Sequence, residues 1–322
     1  VITRFKPLLS AKVFSKDKAT TEKNFAMVRY PALGSVKWDG WRMFEYGGRV
    51  LCRSMDPPRN KHTQQVMAEM FRDLRERTRL VGLDGEALGG NDPLARNAMQ
   101  LSTSAFNTIE SKPEFIFKVF DSYQFSEEPF EDRLCRVEDA VSKIQSDWPW
   151  VQLTPHWRIE NATQALEDLA RVELDGAEGI MGRDPKGRYK MGRSSMKEGI
   201  LWALKPYADG ECRILSVHEQ MHNANEATVN SLGHTKRSGH KENLVPKDTF
   251  GYAICQGIDP AWEETFRIGM GPGLTDALRK EIWQNPEKYV GGILKYKYQA
   301  IGCVSRPRQP KWMGMRAEED MS

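Results

Sequence analysis

The chain has 322 residues, 39% hydrophobic and 28% charged, with a formal net charge of +3. These are proportions of a soluble globular protein large enough for two domains, and they exclude a disordered or fibrous chain. No apolar run approaches the roughly eighteen residues of a membrane helix, and residues 1–9 are basic without the apolar stretch of a leader peptide, so no membrane partner is expected.

In chain order, residues 4–22 are mixed and expected to be peripheral, whereas 26–30, the segments flanking Lys37 and 48–53 predict strands separated by glycine turns. Val66, Met67, Met70, Phe71 and Leu74 recur at helical spacing, which predicts a helix over 61–79. Strands are predicted at 81–88 and 115–120, and helices at 131–147 and 162–169. A turn at Asp184-Pro185-Lys186-Gly187 separates Ile180 from Tyr189-Lys190, and a strand follows at 199–205. Pro206-Tyr207-Ala208-Asp209-Gly210 divides the sequence into domains 1–208 and 209–322. The second domain predicts short strands, a helix at 273–285 and a final strand at 292–299, a composition that suits a small barrel. The expected fold class is α+β, with a mixed or antiparallel sheet in the first domain. Cys52, Cys135, Cys212, Cys255 and Cys303 stand far apart, which fits a reducing compartment and offers neither a disulfide framework nor a zinc site. The six histidines form no close ligand set with cysteines or acids.

The most informative stretch is Lys37-Trp38-Asp39-Gly40-Trp41-Arg42. A lysine is nucleophilic only as the free amine, which nearby positive charge favours. Asp39 is placed to orient that amine, Gly40 lets the backbone pass close to a ligand, and Arg42 offers a planar fork to phosphate. Further charges interrupt apolar strands: Glu86 in Leu83-Asp84-Gly85-Glu86, Asp121 after Phe117-Lys118-Val119-Phe120, Glu178 in Glu178-Gly179-Ile180, and Lys205 after Leu204. Half-buried charges are costly unless paired or used. Lysine attack on a nucleotide's α-phosphorus needs cations for the phosphates, a carboxylate for metal and an aromatic plane for the base. Lys37, Arg42, Arg53, Lys205, Glu86, Glu178 and Phe120 provide each class. No GK[ST] phosphate loop is present, so side chains must hold the phosphates. Two basic segments, His234 to Lys241 and the stretch from Lys288 to Arg316 with seven Lys or Arg and no acid, suit a phosphate backbone.

Together these motifs resemble the ATP-dependent DNA ligases of the small bacteriophage type, within the covalent nucleotidyltransferase superfamily. The resemblance rests on Lys37 to Arg42 (Lys-x-Asp-Gly-x-Arg), Asp84-Gly85-Glu86, Phe117 to Asp121, Glu178-Gly179-Ile180, Glu198-Gly199-Ile200-Leu201, Met221 to Thr228, Lys236-Arg237-Ser238 and Arg306 to Arg316, in family order along nearly the whole chain. It implies a nucleotidyltransferase domain followed by an OB-fold barrel. It implies that Lys37 carries AMP from ATP as a phosphoramidate, that Asp39 positions the amine or a metal-bound water, that Arg42 contacts the nick's phosphate or the nucleotide, and that Arg53 helps bind phosphate. Glu86 would accept from the ribose hydroxyl and assist with metal, Phe120 would stack on adenine, Glu178 would bind Mg2+ or Mn2+, and Lys205 would contact the α-phosphate. Lys236, Arg237, Arg306, Arg308, Lys311 and Arg316 would meet nicked duplex DNA, with the barrel swinging over it as a lid. No additional N-terminal DNA-binding domain is expected, and the chain is expected to act as a monomer without an obligate protein partner, in the cytoplasm (of the host, if viral).

One position departs from the pattern. The last motif is normally Lys-x-Lys, but here it reads Ala203-Leu204-Lys205. Losing a sole donor to one phosphate oxygen costs about 2–4 kcal/mol of transition-state stabilisation. Compensation by Lys197 or Lys190, a substitution introduced to trap an intermediate, and a slower enzyme all remain open. The alternatives to a DNA ligase are an RNA ligase or guanylyltransferase of the same superfamily, and a non-catalytic nick- or end-binding module.

Overall fold

The computed structural model describes residues 5–14, 18–230 and 232–316, so the readings at 1–9 and 4–22 lie partly outside the described residues. The chain divides into two compact units, Val1–Lys205 and Pro206–Ser322. No helix among the described residues is long and apolar enough to cross a membrane.

The first unit runs β1 (Ala11–Lys12), α1 (Lys18–Met27), β2 (Ala32–Val36), β3 (Trp41–Tyr46), β4 (Arg49–Cys52), α2 (Lys61–Thr78), β5 (Leu83–Gly89), α3 (Ala98–Asn107), β6 (Phe115–Ser122), α4 (Phe130–Ser142), β7 (Val151–Leu153), β8 (His156–Ile159), α5 (Ala162–Leu174), β9 (Ile180–Arg183) and β10 (Leu201–Leu204). Two five-stranded sheets result, ordered β1-β10-β9-β2-β8 and β4-β3-β5-β6-β7. Every strand pair in them is antiparallel except β1 with β10 and β6 with β7.

Three apolar clusters hold this unit together. Met67, Met70, Phe71 and Leu74 of α2 pack with Phe117 and Val119 of β6 and Val137 and Val141 of α4. The period of four that exposes α2 in the sequence is thus the stripe it lays on the sheet. Its start is fixed by Asn60, whose side chain accepts from the Thr63 amide at 2.7 Å, and its end by Arg79 at φ 60°. Ala165, Leu169 and Val172 of α5 pack on the other sheet against Ile180, Trp202 and Leu204. Between the sheets lie Phe5, Leu8, Phe44, Leu51, Tyr189 and Leu201. Alternation along β10 therefore sends Trp202 and Leu204 to the α5 side and Leu201, with Ala203, to the face opposing the other sheet.

The strand predicted at 26–30 is instead the end of α1 and the segment after it. No residue of α1 is buried, so no apolar stripe announces the helix. Tyr189-Lys190 forms no strand, and α4 stops at Ser142, turns following it. Helix α3 has no counterpart among the predicted elements, because its buried Ala98, Ser102 and Phe106 include only one large apolar residue.

The second unit contains β11 (Ala208–Asn223), β12 (Ala227–Val229), β13 (Thr235–Arg237), β14 (Leu244–Gly257), β15 (Phe266–Ile268), α6 (Asp276–Gln284), a 3₁₀ turn, β16 (Ile293–Gln299) and β17 (Arg308–Arg316). Two of the strands expected to be short are long, β11 with 16 residues and β14 with 14. The strand expected to be final, β16, is followed by β17, whose basic residues obscure its strand character. Strand β11 pairs with β16 through Ala208 to Arg213 and with β14 through Cys212 to Asn223, with three register shifts that bend it. The sheet order is β15-β14-β11-β16-β17. Among the described residues no ladder joins β15 to β17, so the expected closed barrel is not formed. A three-residue edge strand is too short to complete one. Single backbone bonds approach closure beyond its end, from the Trp312 amide to the Met270 carbonyl at 2.8 Å.

Candidate active site

Lys37 leaves the end of β2, and its amide donates to the Gly179 carbonyl at 2.8 Å. This bond ties the segment after β2 to the segment before β9. Lys37 Nζ donates to Glu178 Oε2, and Lys205 Nζ, just beyond β10, donates to Glu178 Oε1. Two lysines thus share one carboxylate whose side chain is only 4% exposed. Burial works to raise the Glu178 carboxyl, but the charges and hydrogen bonds of the two lysines overcome it and hold the group below its ordinary range. Gly179 makes the approach possible. Its φ is +148°, and a Cβ there would lie 2.2 Å from the Leu204 carbonyl oxygen.

Gly40 serves a different purpose from the one expected. A Cβ there would meet the Ala87 carbonyl oxygen at 2.4 Å, so the close approach is to the chain's own β5. Trp38, between Lys37 and Asp39, donates to Thr154 Oγ1 at 3.2 Å, and Lys118 Nζ lies 4.8 Å from its ring centroid. Lys118 is buried, which lowers its pKa, and it donates to Gln152 Oε1 at 2.6 Å. The nucleophile segment is therefore braced on both sides.

Cross-strand register aligns Arg42 of β3, Glu86 of β5, Lys118 of β6 and Gln152 of β7 in one row across the second sheet. Burial pushes Glu86 up to about 8, because the opposing charges of Lys37 and Arg42 do not outweigh it while Glu178 and Asp39 add to the rise. Asp39 is buried. Arg42 does not present an open fork. Its Nε donates to Asp84 Oδ1 at 2.7 Å, Nη2 donates to Asp84 Oδ2, and Nη1 donates to the Leu8 carbonyl. Tyr189 also donates to Asp84 Oδ2, at 2.7 Å. Arg53, after β4, is exposed, and its pKa is lowered by partial desolvation and by the positive charges of Arg193 and Arg42. Guanidiniums that repel one another favour an anion between them.

Phe120 has two guanidiniums over its ring, Arg42 at 5.5 Å and Arg183 at 5.4 Å from the centroid. Arg183 is anchored in turn by buried Asp121, which also accepts from Arg133 at 2.9 and 3.1 Å. The sequence displays Asp121 but not its partners. Arg183, four residues after Gly179, and Arg133, on the buried face of α4, become legible only once β6, β9 and α4 converge.

Lys37, Asp39, Arg42, Arg53, Glu86, Phe120, Glu178 and Lys205 are thus linked by contact or charge within the first unit. No group of three or more His, Cys, Asp or Glu among the described residues could hold a metal ion. Glu178 lies between Lys37 and Lys205, and Glu86 is close enough to feel its charge. In the second unit, Lys236 and Arg237 lie on β13, and Arg237 Nη1 donates to the Asn225 carbonyl. Arg306 lies 3.8 Å from Glu264 and Arg316 lies 2.8 Å from Glu211. Lys311 stands 5.0 Å from the Tyr207 ring centroid, and Arg308 begins β17. Arg306, just before β17, and Arg316, at its end, are thus each paired with an acid.

Among known proteins, those similar to this chain include DNA ligases. A DNA ligase of Haemophilus influenzae is 23% identical over 177 residues, 55% of this chain and 52% of the relative, so the chain spans about half the length of the curated relative it matches. The crystal structure of Chlorella virus DNA ligase-adenylate is 26% identical and aligns over 97% of this chain and 99% of its own, with a TM-score of 0.52. A Lig E DNA ligase structure, 19% identical, shares the fold with a TM-score of 0.63 over 96% of this chain and 98% of its own. The family model of the ATP-dependent DNA ligase domain matches residues 13–199, more than half of the sequence. The chain belongs to the ATP-dependent DNA ligase family.

Proposed function

We propose that this chain seals 5′-phosphate/3′-hydroxyl nicks in duplex DNA with ATP, through a lysyl-AMP and a DNA-adenylate. The observation that carries the reading is the convergence of Lys37 and Lys205 on the single buried carboxylate of Glu178. Lys37 Nζ attacks the α-phosphorus of ATP. A phosphorus–nitrogen bond forms as the bond to pyrophosphate breaks, and pyrophosphate leaves with the electron pair. Lys37, charged in its pair with Glu178, first releases one proton to solvent to present the free amine, and a second leaves along the hydrogen bond to Glu178 and on to solvent as the new bond forms. AMP then passes to the 5′-phosphate of the nick, the phosphorus–nitrogen bond breaking as a phosphoanhydride forms and Lys37 regaining its protons. The adjacent 3′-hydroxyl attacks that 5′-phosphorus, expels AMP and loses its proton to solvent.

Lys205, freed from Glu178, neutralises the α-phosphate, and Arg53 takes phosphate charge at the exposed edge. Phe120, steadied by Arg42 and Arg183, stacks on the base. Glu86 meets the ribose hydroxyl; near pH 7 its carboxyl keeps its proton in most molecules and can donate as well as accept. Arg42, committed to Asp84, acts by fixing β3 on β5 and by holding Phe120. Glu178, and Glu86 once it has lost its proton, would hold Mg2+ or Mn2+, which would supply charge neutralisation of the leaving phosphates.

The second unit acts as an OB-type module that grips the duplex backbone without base readout, through Lys236, Arg237, Arg306, Arg308, Lys311 and Arg316. The chain works as a monomer. Nicked duplexes with a labelled 5′-phosphate, incubated with ATP or GTP, test the reading. Sealing of DNA nicks with ATP alone is expected. Labelling only by GTP, sealing only of RNA, or DNA binding without sealing would each overturn it.

A further inference from the structure

The Lys-x-Lys departure has a structural counterpart one strand away. Ala203 lies in β10, and its partner in the parallel ladder with β1 is Lys12. Registered residues of neighbouring strands project from the same face, so Lys12 shares the face of Ala203. Two further facts fix which face this is. Val13, next to Lys12, is fully buried in the cluster on the α5 side, so Lys12 projects away from it. Leu201, two residues before Ala203, is buried in the cluster between the two sheets, and Lys205 follows two residues after Ala203. Lys12, Ala203 and Lys205 therefore belong to the face that carries Glu178's two lysines.

The same row continues through Met181 of β9 to Ser35 of β2, two residues before Lys37. With strands about 4.8 Å apart and about 3.3 Å of rise per residue, the Cα atoms of Lys12 and Lys205 are roughly 8 Å apart. A phosphate chain bridges that span between two lysine side chains. Strand β1 is an edge strand, held by the Val13 amide donating to the Ala203 carbonyl at 3.1 Å and by Asn24 Nδ2 donating to the Val13 carbonyl at 2.9 Å. Lys12 itself is exposed and enters no ion pair among the described residues. The compensating cations expected from sequence are less well placed. Lys190 Nζ donates to Glu198, and Lys197 lies in the loop beyond it.

We propose that Lys12 supplies, from β1, the phosphate-contacting ammonium that Ala203 leaves out of the Lys-x-Lys pair. The cation has moved one strand sideways within the same row. This rests on the nucleotidyl-transfer reading of Lys37 given above.

Single-turnover transfer of AMP from labelled ATP to the full chain tests the inference, with thermal unfolding measured beside it. The wild type must become labelled; if it does not, the transfer reading fails and not this refinement of it. In a labelling-competent background, Lys12→Met should slow transfer about 10²-fold, the usual effect of removing one donor to a developing phosphate charge. Lys12→Arg should keep most of the rate. Adding Ala203→Lys to Lys12→Met should recover at least tenfold, which a purely structural role for Lys12 would not produce. Because Ala203 is buried and a lysine there could disturb the fold, Lys12→Ala assayed with soluble propylamine gives a second route, and stimulation of that variant but not the wild type is expected. Wild-type transfer by Lys12→Met would overturn the inference, as would a slow Lys12→Met that neither the second-site lysine nor the amine restores.

Discussion

Replacing Asp121 with Asn tests the buried frame behind Phe120. Asp121 is completely buried, Arg133 is 1% exposed, and the Arg183 side chain is 6% exposed. One carboxylate accepts three guanidinium contacts from these arginines and also the Ser122 amide at 2.8 Å. Asparagine keeps the shape but removes the charge and turns an NH2 donor toward donors. Removing one partner of a buried ion pair costs about 3–5 kcal/mol, because the remaining charge stays desolvated. In a domain of this size each kcal/mol moves Tm by roughly 2–4 °C, so the melting temperature of the first unit should fall by roughly 6–20 °C. Calorimetry on the full chain would measure it. The Asp121→Asn/Arg183→Met double variant should lose less than the sum of the single losses, because both changes disturb one network. A loss below about 1 kcal/mol, or strict additivity, would refute the account of Arg183 as a charge neutralised by Asp121.

Two further outcomes are expected. Glu86 has a folded pKa raised to about 8, so its native form is unpenalised below the ordinary carboxylate range and loses stability as pH rises through 8. Glu86→Gln should therefore gain stability over the wild type between pH 5 and pH 9. The gain is bounded by about 1.4 kcal/mol for each pH unit separating the folded and unfolded pKa, and it is reduced because the side chain is partly exposed. Urea midpoints that differ equally at both pH values would contradict this. Reversing Arg306, Arg308 and Lys311 to Glu should weaken binding to nicked DNA and flatten its salt dependence, by about 0.9 in log–log slope for every phosphate left without its cation. Adenylylation of the protein should change far less, and equal loss of both would argue against separate roles for the two units.

The elements that the sequence exposes are those whose burial follows a simple period. Helix α2 places five residues at helical spacing, and β6 carries a nearly continuous apolar run beside its charges. Helix α1, without a buried residue, and β17, rich in arginine and lysine, offer no such pattern, and at both the structure departs from what the sequence predicts. At the site the chemistry-bearing residues are visible because each sits in a short motif. Their partners are not, because Asp84 with Tyr189, and Asp121 with Arg183, meet over sequence separations that no local pattern encodes. Arg42 shows the limit clearly: its residue type suits phosphate, but the bidentate pairing with Asp84 appears only when β3 lies beside β5. Lys12 shows the same limit, since its proximity to Ala203 is a fact of strand pairing alone.

The most direct test is intact-protein and peptide mass spectrometry after incubation with ATP and a divalent cation. A gain of one adenylyl group, located on Lys37 and absent when Lys37 is replaced by Ala, is predicted. A chain that gains no mass, or an adduct that forms elsewhere and survives Lys37→Ala, would contradict the mechanism.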